Sequence, residues 1–91
     1  MLILSRSKGK SVLVAGRTRV TVEALPPRGG VVLRIVGPGR DEQAVIGEQR
    51  GVWVEGLDVR HVRTRQGKAL LSFDGPRDVS VTRTELLTEA T

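Results

Sequence analysis

The sequence predicts a small, compact all-β protein of about nine short strands joined by short turns into antiparallel sheets. Three observations carry that expectation. Apolar, often β-branched residues alternate with polar ones. The alternating runs are short, and glycine- or proline-bearing turns separate them. Only the last residues, 84–91 with Glu85-Leu86-Leu87, hold enough for a helical turn.

The elements follow in order. A first strand over 2–6 reaches the turn Lys8-Gly9-Lys10, and a second over 11–14 ends at Ala15-Gly16-Arg17. A third runs over 19–25 until Pro26-Pro27-Arg28-Gly29-Gly30, where proline removes a ladder donor and glycine permits positive φ. A fourth covers 31–36, Gly37-Pro38-Gly39-Arg40 breaks it, and 43–47 forms a short, weak fifth. Strands over 51–54 and 58–65 flank the turn at Glu55-Gly56. Gln66-Gly67-Lys68 leads into 69–73, Asp74-Gly75-Pro76-Arg77 breaks again, and the last strand covers 78–83.

Strands and breaks recur in the same order. Val12-Leu13-Val14 aligns with Val52-Trp53-Val54, Gly16 with Gly56, Val20 with Val59, Val22 with His61, Gly29 with Gly67, Leu33 with Leu71, and Gly37-Pro38 with Gly75-Pro76. Agreement across seven segments favours a degenerate duplication over coincident hairpin punctuation. The chain is therefore expected to be one domain of two repeats, five strands over 1–50 and four over 51–91. Trp53 and Phe73, the only aromatics, are assigned to the core.

Ninety-one residues with 38% hydrophobic content leave little core to spare. The absence of cysteine excludes disulfides and thiolate metal sites and fits a reducing compartment. The opening residues lack the basic-then-apolar order of a secretory signal, and no run reaches membrane-spanning length. A soluble, cytoplasmic protein without membrane partners is expected. Residues 1–40 hold eight basic side chains against one acidic, a net +7, and 41–91 hold seven against nine, a net −2. Such a basic half attracts polyanions by counterion release and steering.

No Ser/Cys–His–acid set, carboxylate pair or nucleotide fingerprint stands out, so no enzyme is expected. His61 is the only histidine and stands without cysteine, so it reads as structural, and neither metal nor other cofactor is implied. Gly37-Pro38-Gly39-Arg40 lacks the Gly-Lys-Ser/Thr of a phosphate loop and reads as a turn. Arg17 and Arg19 read as solvated strand faces. Two aromatics are too few for a base-stacking platform.

Met1-Leu2-Ile3-Leu4-Ser5-Arg6, followed by Gly9 and an apolar strand, resembles the opening of the carbon storage regulator (CsrA/RsmA) family. Residues 75–86, Gly-Pro-Arg-Asp-Val-Ser-Val-Thr-Arg-Thr-Glu-Leu, resemble that family's closing Ala-Pro-x-x-Val-x-Val-x-Arg-x-Glu-Ile segment. The resemblance implies intertwined five-stranded subunits whose opening and last strands together read GGA in single-stranded or hairpin-loop segments of messenger leaders, blocking ribosome access. It places Leu4, Arg6, Val81 and Arg83 in the RNA-facing set. The family's further basic residue after Arg6 is Ser7 here, with Lys8 and Lys10 as substitutes, so Lys8 joins the set.

The chain exceeds a typical member by roughly one repeat without its first strand, which suggests a monomeric pseudo-dimer. An ordinary homodimer with an insertion at 26–66 is the alternative. In the first repeat the position matching Arg83 falls near Glu48, whose charge repels phosphate, so one working site is expected instead of two. The expected partner is messenger RNA, and the resemblance leaves room for a protein antagonist. The rival function is a degenerate, protein-interacting member that has lost RNA.

Overall fold

Alternation folds the chain into nine strands over residues 1–84, the part that the computed structural model describes. They are β1 (Leu2–Ser7), β2 (Ser11–Val14), β3 (Thr18–Ala24), β4 (Val31–Gly37), β5 (Arg40–Ile46), β6 (Val52–Val54), β7 (Leu57–Arg65), β8 (Lys68–Asp74) and β9 (Val81–Arg83). They form two antiparallel sheets, one ordered β1-β8-β7-β6 and the other β5-β4-β3-β2-β9. The fold is all-β, as the sequence predicts. Among the described residues no helix is long and apolar enough to cross a membrane.

One face of each sheet supplies the core. Val12, Val14, Val20, Val22, Val31, Leu33, Ile35 and Ile46 of the five-stranded sheet meet Val54, Leu57, Val59, Ala69, Leu71 and Phe73 of the other, all buried. Every inward position of β3 and β4 except Thr18 is apolar, which pins their register. Thr18 stays satisfied by donating its hydroxyl to Glu55 across the sheets at 2.7 Å.

Two strands cross between the halves of the chain. β1 pairs along its whole length with β8, from Leu2↔Phe73 to Ser7↔Lys68. β9 pairs with β2, with Val12↔Arg83 and Val14↔Val81. Each half's sheet thus carries a strand from the far end of the sequence. The halves also share local devices. β2–β3 and β6–β7 both reverse through a non-glycine residue at positive φ followed by glycine, Ala15-Gly16 (55°, 68°) and Glu55-Gly56 (51°, 85°). β3–β4 and β7–β8 both carry a bulge, at Val22/Ala24 and at His61/Arg63.

The structure corrects three expectations. Gly37-Pro38-Gly39-Arg40 is a tight hairpin, with Gly37 paired to Arg40, so β5 starts at Arg40 and not at 43. Proline fixes one turn dihedral and Gly39 takes φ 67°, so the segment that punctuates β4 also launches β5. The last strand starts at Val81, because 78–80 belong to the preceding turn. Trp53 is 66% exposed while Phe73 is 3% exposed. Trp53 alternates with inward Val52 and Val54 on an edge strand, so it faces outward. The helical turn expected over 84–91 falls outside the described residues beyond Thr84.

His61 is buried, with Nε2 2.8 Å from the Thr64 hydroxyl and its backbone N–H donating to Gly47 O. Burial holds its imidazole below the ordinary value of 6.5, against the opposing pull of Arg63 backbone and the Glu48 charge. The folded state therefore binds fewer protons than the unfolded chain just below that value. Stability is full above 6.5, falls as pH drops through 6.5, and levels off below the folded pKa. The urea midpoint is expected to be lower at about pH 5.5 than at about pH 8, with a smaller difference in His61→Gln.

Candidate nucleic-acid interface

β1 and β9 are the edge strands of different sheets, and the fold brings them to the same side of the sandwich. The junction is polar and specific. Arg6 Nη1 donates to Ser11 O at 3.3 Å, and Thr84, directly after β9, donates its hydroxyl to the same carbonyl at 3.2 Å. The Ser11 and Thr84 hydroxyls lie 3.1 Å apart, and Arg19 Nη1 donates to Ser11 Oγ at 3.3 Å. Ser11 thus gathers β1, β3 and the end of β9 at the first residue of β2.

The proposed contact residues divide by exposure. Leu4 is half-buried opposite Leu71, and Val81 is half-buried opposite Val14, both packed on the core. Arg6 is only 8% exposed and also donates Nε to Ser5 O at 2.9 Å. Its first task is to tie β1 to β2. Arg83 and Lys8 are exposed. The structure therefore places all five at or beside one composite edge, with Arg83 and Lys8 presenting free surface and Arg6 bracing it from behind.

Toward the start of β1 this edge opens into a groove of about 230 Å³, lined by Leu2, Phe73, Pro76, Arg77, Val79 and Val81 among others. Gly75 makes the tight connection beside it feasible, since a Cβ there would lie 2.8 Å from Gly56 O and 2.8 Å from Leu57 Cδ2. Toward the other end the charge is basic. Ser7↔Lys68 sets the β1–β2 turn beside the β7–β8 turn, and Val12↔Arg83 brings in the end of β9. Lys8, Lys10, Arg65, Lys68 and Arg83 thus meet at one end of the molecule, drawn from both halves of the sequence. An apolar groove running into a cationic end suits a strand with splayed bases and a charged backbone.

Family models, curated proteins and solved structures offer no match to this chain.

The opposite side of the sandwich is built differently. Arg40 Nη1 donates to Trp53 O at 2.7 Å, bridging β5 to β6, and its Nη2 pairs with Glu42 at 2.8 Å. Glu55 accepts from Thr18 and, at 3.0 Å, from Arg17, and these donors hold its carboxyl below the ordinary value. Arg17 is solvated as expected, and Arg19 is exposed while reaching Ser11.

The expected reason for a single composite site needs correction. β5 pairs with β4, and Glu48 lies beyond it, its backbone carbonyl accepting from Arg60 at 3.2 Å. Glu48 therefore does not occupy the counterpart of the Arg83 position. Among the described residues, no strand sits beside β6 as β9 sits beside β2. Sequence reading also missed Ser11 and Thr84, whose role depends on a pairing between distant strands, and Arg65 and Lys68, which the net acidity of the second half conceals.

Proposed function

We propose that this chain is an RNA-binding post-transcriptional regulator that recognises GGA-containing single-stranded or hairpin-loop segments of messenger leaders and modulates translation. The observation that carries this reading is the convergence of β1 and β9, from opposite ends of the sequence, on one edge with an apolar groove and exposed Arg83 and Lys8. Arginine offers a planar fork of donors for a guanine edge or a phosphate and can stack on a base. Half-buried Leu4 and Val81 offer apolar surface to unstacked bases.

The strand exchange and the paired turns and bulges support a fused pseudo-dimer of two repeats, in which one chain provides what two subunits otherwise would. With no β9 counterpart beside β6 among the described residues, such a molecule has one composite edge. A single chain's mass in solution is the expected result, and a stable dimer would contradict the fusion.

A second reading has its own observation: Trp53 is exposed on a strand that has no outer partner among the described residues, a surface suited to protein contact. The salt dependence of RNA binding separates the two. Phosphate contacts by Lys8 and Arg83 make affinity for a GGA hairpin fall steeply as salt rises, by about 0.7 in log–log slope per phosphate on a single strand. Absence of binding at low salt would favour the protein-interaction reading.

A further inference from the structure

We infer that the outward face of the β1-β8-β7-β6 sheet carries an accessory site for a nucleotide of single-stranded RNA flanking the element read at the β1/β9 edge. The inference rests on the RNA-binding reading above. Strand register lays out this face in rows. Ser7, Lys68 and Arg65 stand side by side across β1, β8 and β7, and Ser5, Leu70 and Arg63 form the next row.

These two rows hold three cations and no carboxylate. Arg60, one row further, is already paired with Asp58 at 2.9 Å, whereas Arg63, Arg65 and Lys68 form no ion pair among the described residues. All three are exposed. Arg34 with Asp41 at 2.7 Å, Arg40 with Glu42 and Arg17 with Glu55 are matched to acids in the same way as Arg60. The sheet face carries its positive charge without such acidic partners among the described residues.

Shape agrees with charge. A hollow of about 230 Å³ opens between the rows, lined by Ser5, Arg65, Gln66, Lys68 and Leu70. Half-buried Leu70 gives an apolar floor on which a base can lie. The Ser5 hydroxyl and Gln66 amide offer donors and acceptors for a base edge or a ribose hydroxyl. Arg65 and Lys68 flank the floor as phosphate partners, and the guanidinium plane can also stack on the base. The tight β7–β8 turn, with Gln66 and Gly67 both at positive φ (54° and 74°), fixes the spacing of these two cations. β1 joins the sites, since its inward side chains Leu4 and Arg6 serve the composite edge while its outward Ser5 lines the hollow. A strand leaving the edge crosses β1 to reach Leu70.

The test compares the double variant Arg65→Ala/Lys68→Ala with wild type on two RNAs, a minimal GGA hairpin and the same hairpin with unpaired extensions. Wild type is expected to bind the extended RNA more tightly. The double variant should lose that gain, binding the extended and minimal RNAs equally whatever it loses on the minimal hairpin, and show a salt slope on extended RNA lower by about 1.4, two single-strand phosphates. Arg17→Ala/Arg34→Ala makes the same change in net charge at ion-paired positions and should keep the gain. An extension that adds nothing for wild type, a gain that survives in the double variant, or an equal loss in the charge-matched control would overturn the accessory site alone. Failure of wild type to bind either RNA would overturn it together with the RNA-binding reading.

Discussion

Arg83→Ala is expected to weaken binding of a GGA hairpin about ten- to a hundredfold while leaving the urea midpoint unchanged. Arg83 ends β9 at the seam with β2, is exposed, and forms no ion pair among the described residues. Removing its guanidinium thus costs the fold little and deprives RNA of a planar donor fork. Arg83→Lys keeps the charge but not the fork, so it should restore salt-dependent attraction more fully than discrimination between GGA and other loops. Fluorescence anisotropy with labelled hairpins reads both quantities. Undiminished, still selective binding by Arg83→Ala would remove Arg83 from the site.

The second large effect concerns stability and separates the two aromatics. Phe73→Ala should destabilise the protein by about 3–5 kcal/mol, the usual cost of emptying a buried aromatic position. Phe73 is 3% exposed and pairs with Leu2 of β1 and Val59 of β7, so the cavity would open where the exchanged strand docks. For a domain whose whole stability is of order 5–15 kcal/mol, that approaches unfolding. Trp53→Ala, at a 66% exposed position, should shift stability by less than about 0.5 kcal/mol. Urea titration of both variants provides the comparison, and equal destabilisation would contradict the outward placement of Trp53.

These contrasts show what the sequence makes legible. Period-two alternation gives the strand nature of 11–14, 19–25, 31–36 and 58–65 directly, because a buried face must repeat every second residue. Alternation alone could not place Trp53: Val52-Trp53-Val54 is apolar on both faces, and only the packing of Val52 and Val54 against the shared core decides which face is wet. The Pro38-Gly39 turn reads equally well as the end of a strand or the centre of a hairpin.

The candidate site divides the same way. Alternation places Leu4 with Arg6 and Val81 with Arg83 on common strand faces. That Arg6 is spent on the Ser5 and Ser11 carbonyls depends on β1 and β2 belonging to different sheets around one polar seam. The basic end escaped a reading by halves for a topological reason. Lys68 and Arg83 lie in the acidic half of the sequence, yet β1 and β9 cross over and set them beside Lys8 and Lys10. Charge gathered by strand exchange has no signature in a linear count.

The central claim is tested most directly by titrating wild-type protein into a labelled RNA hairpin with GGA in its loop and into a matched hairpin with CCA. Tight, salt-sensitive binding to the GGA hairpin alone is the predicted result. Equal binding to both, or binding to neither, would contradict sequence-specific RNA recognition at the β1/β9 edge.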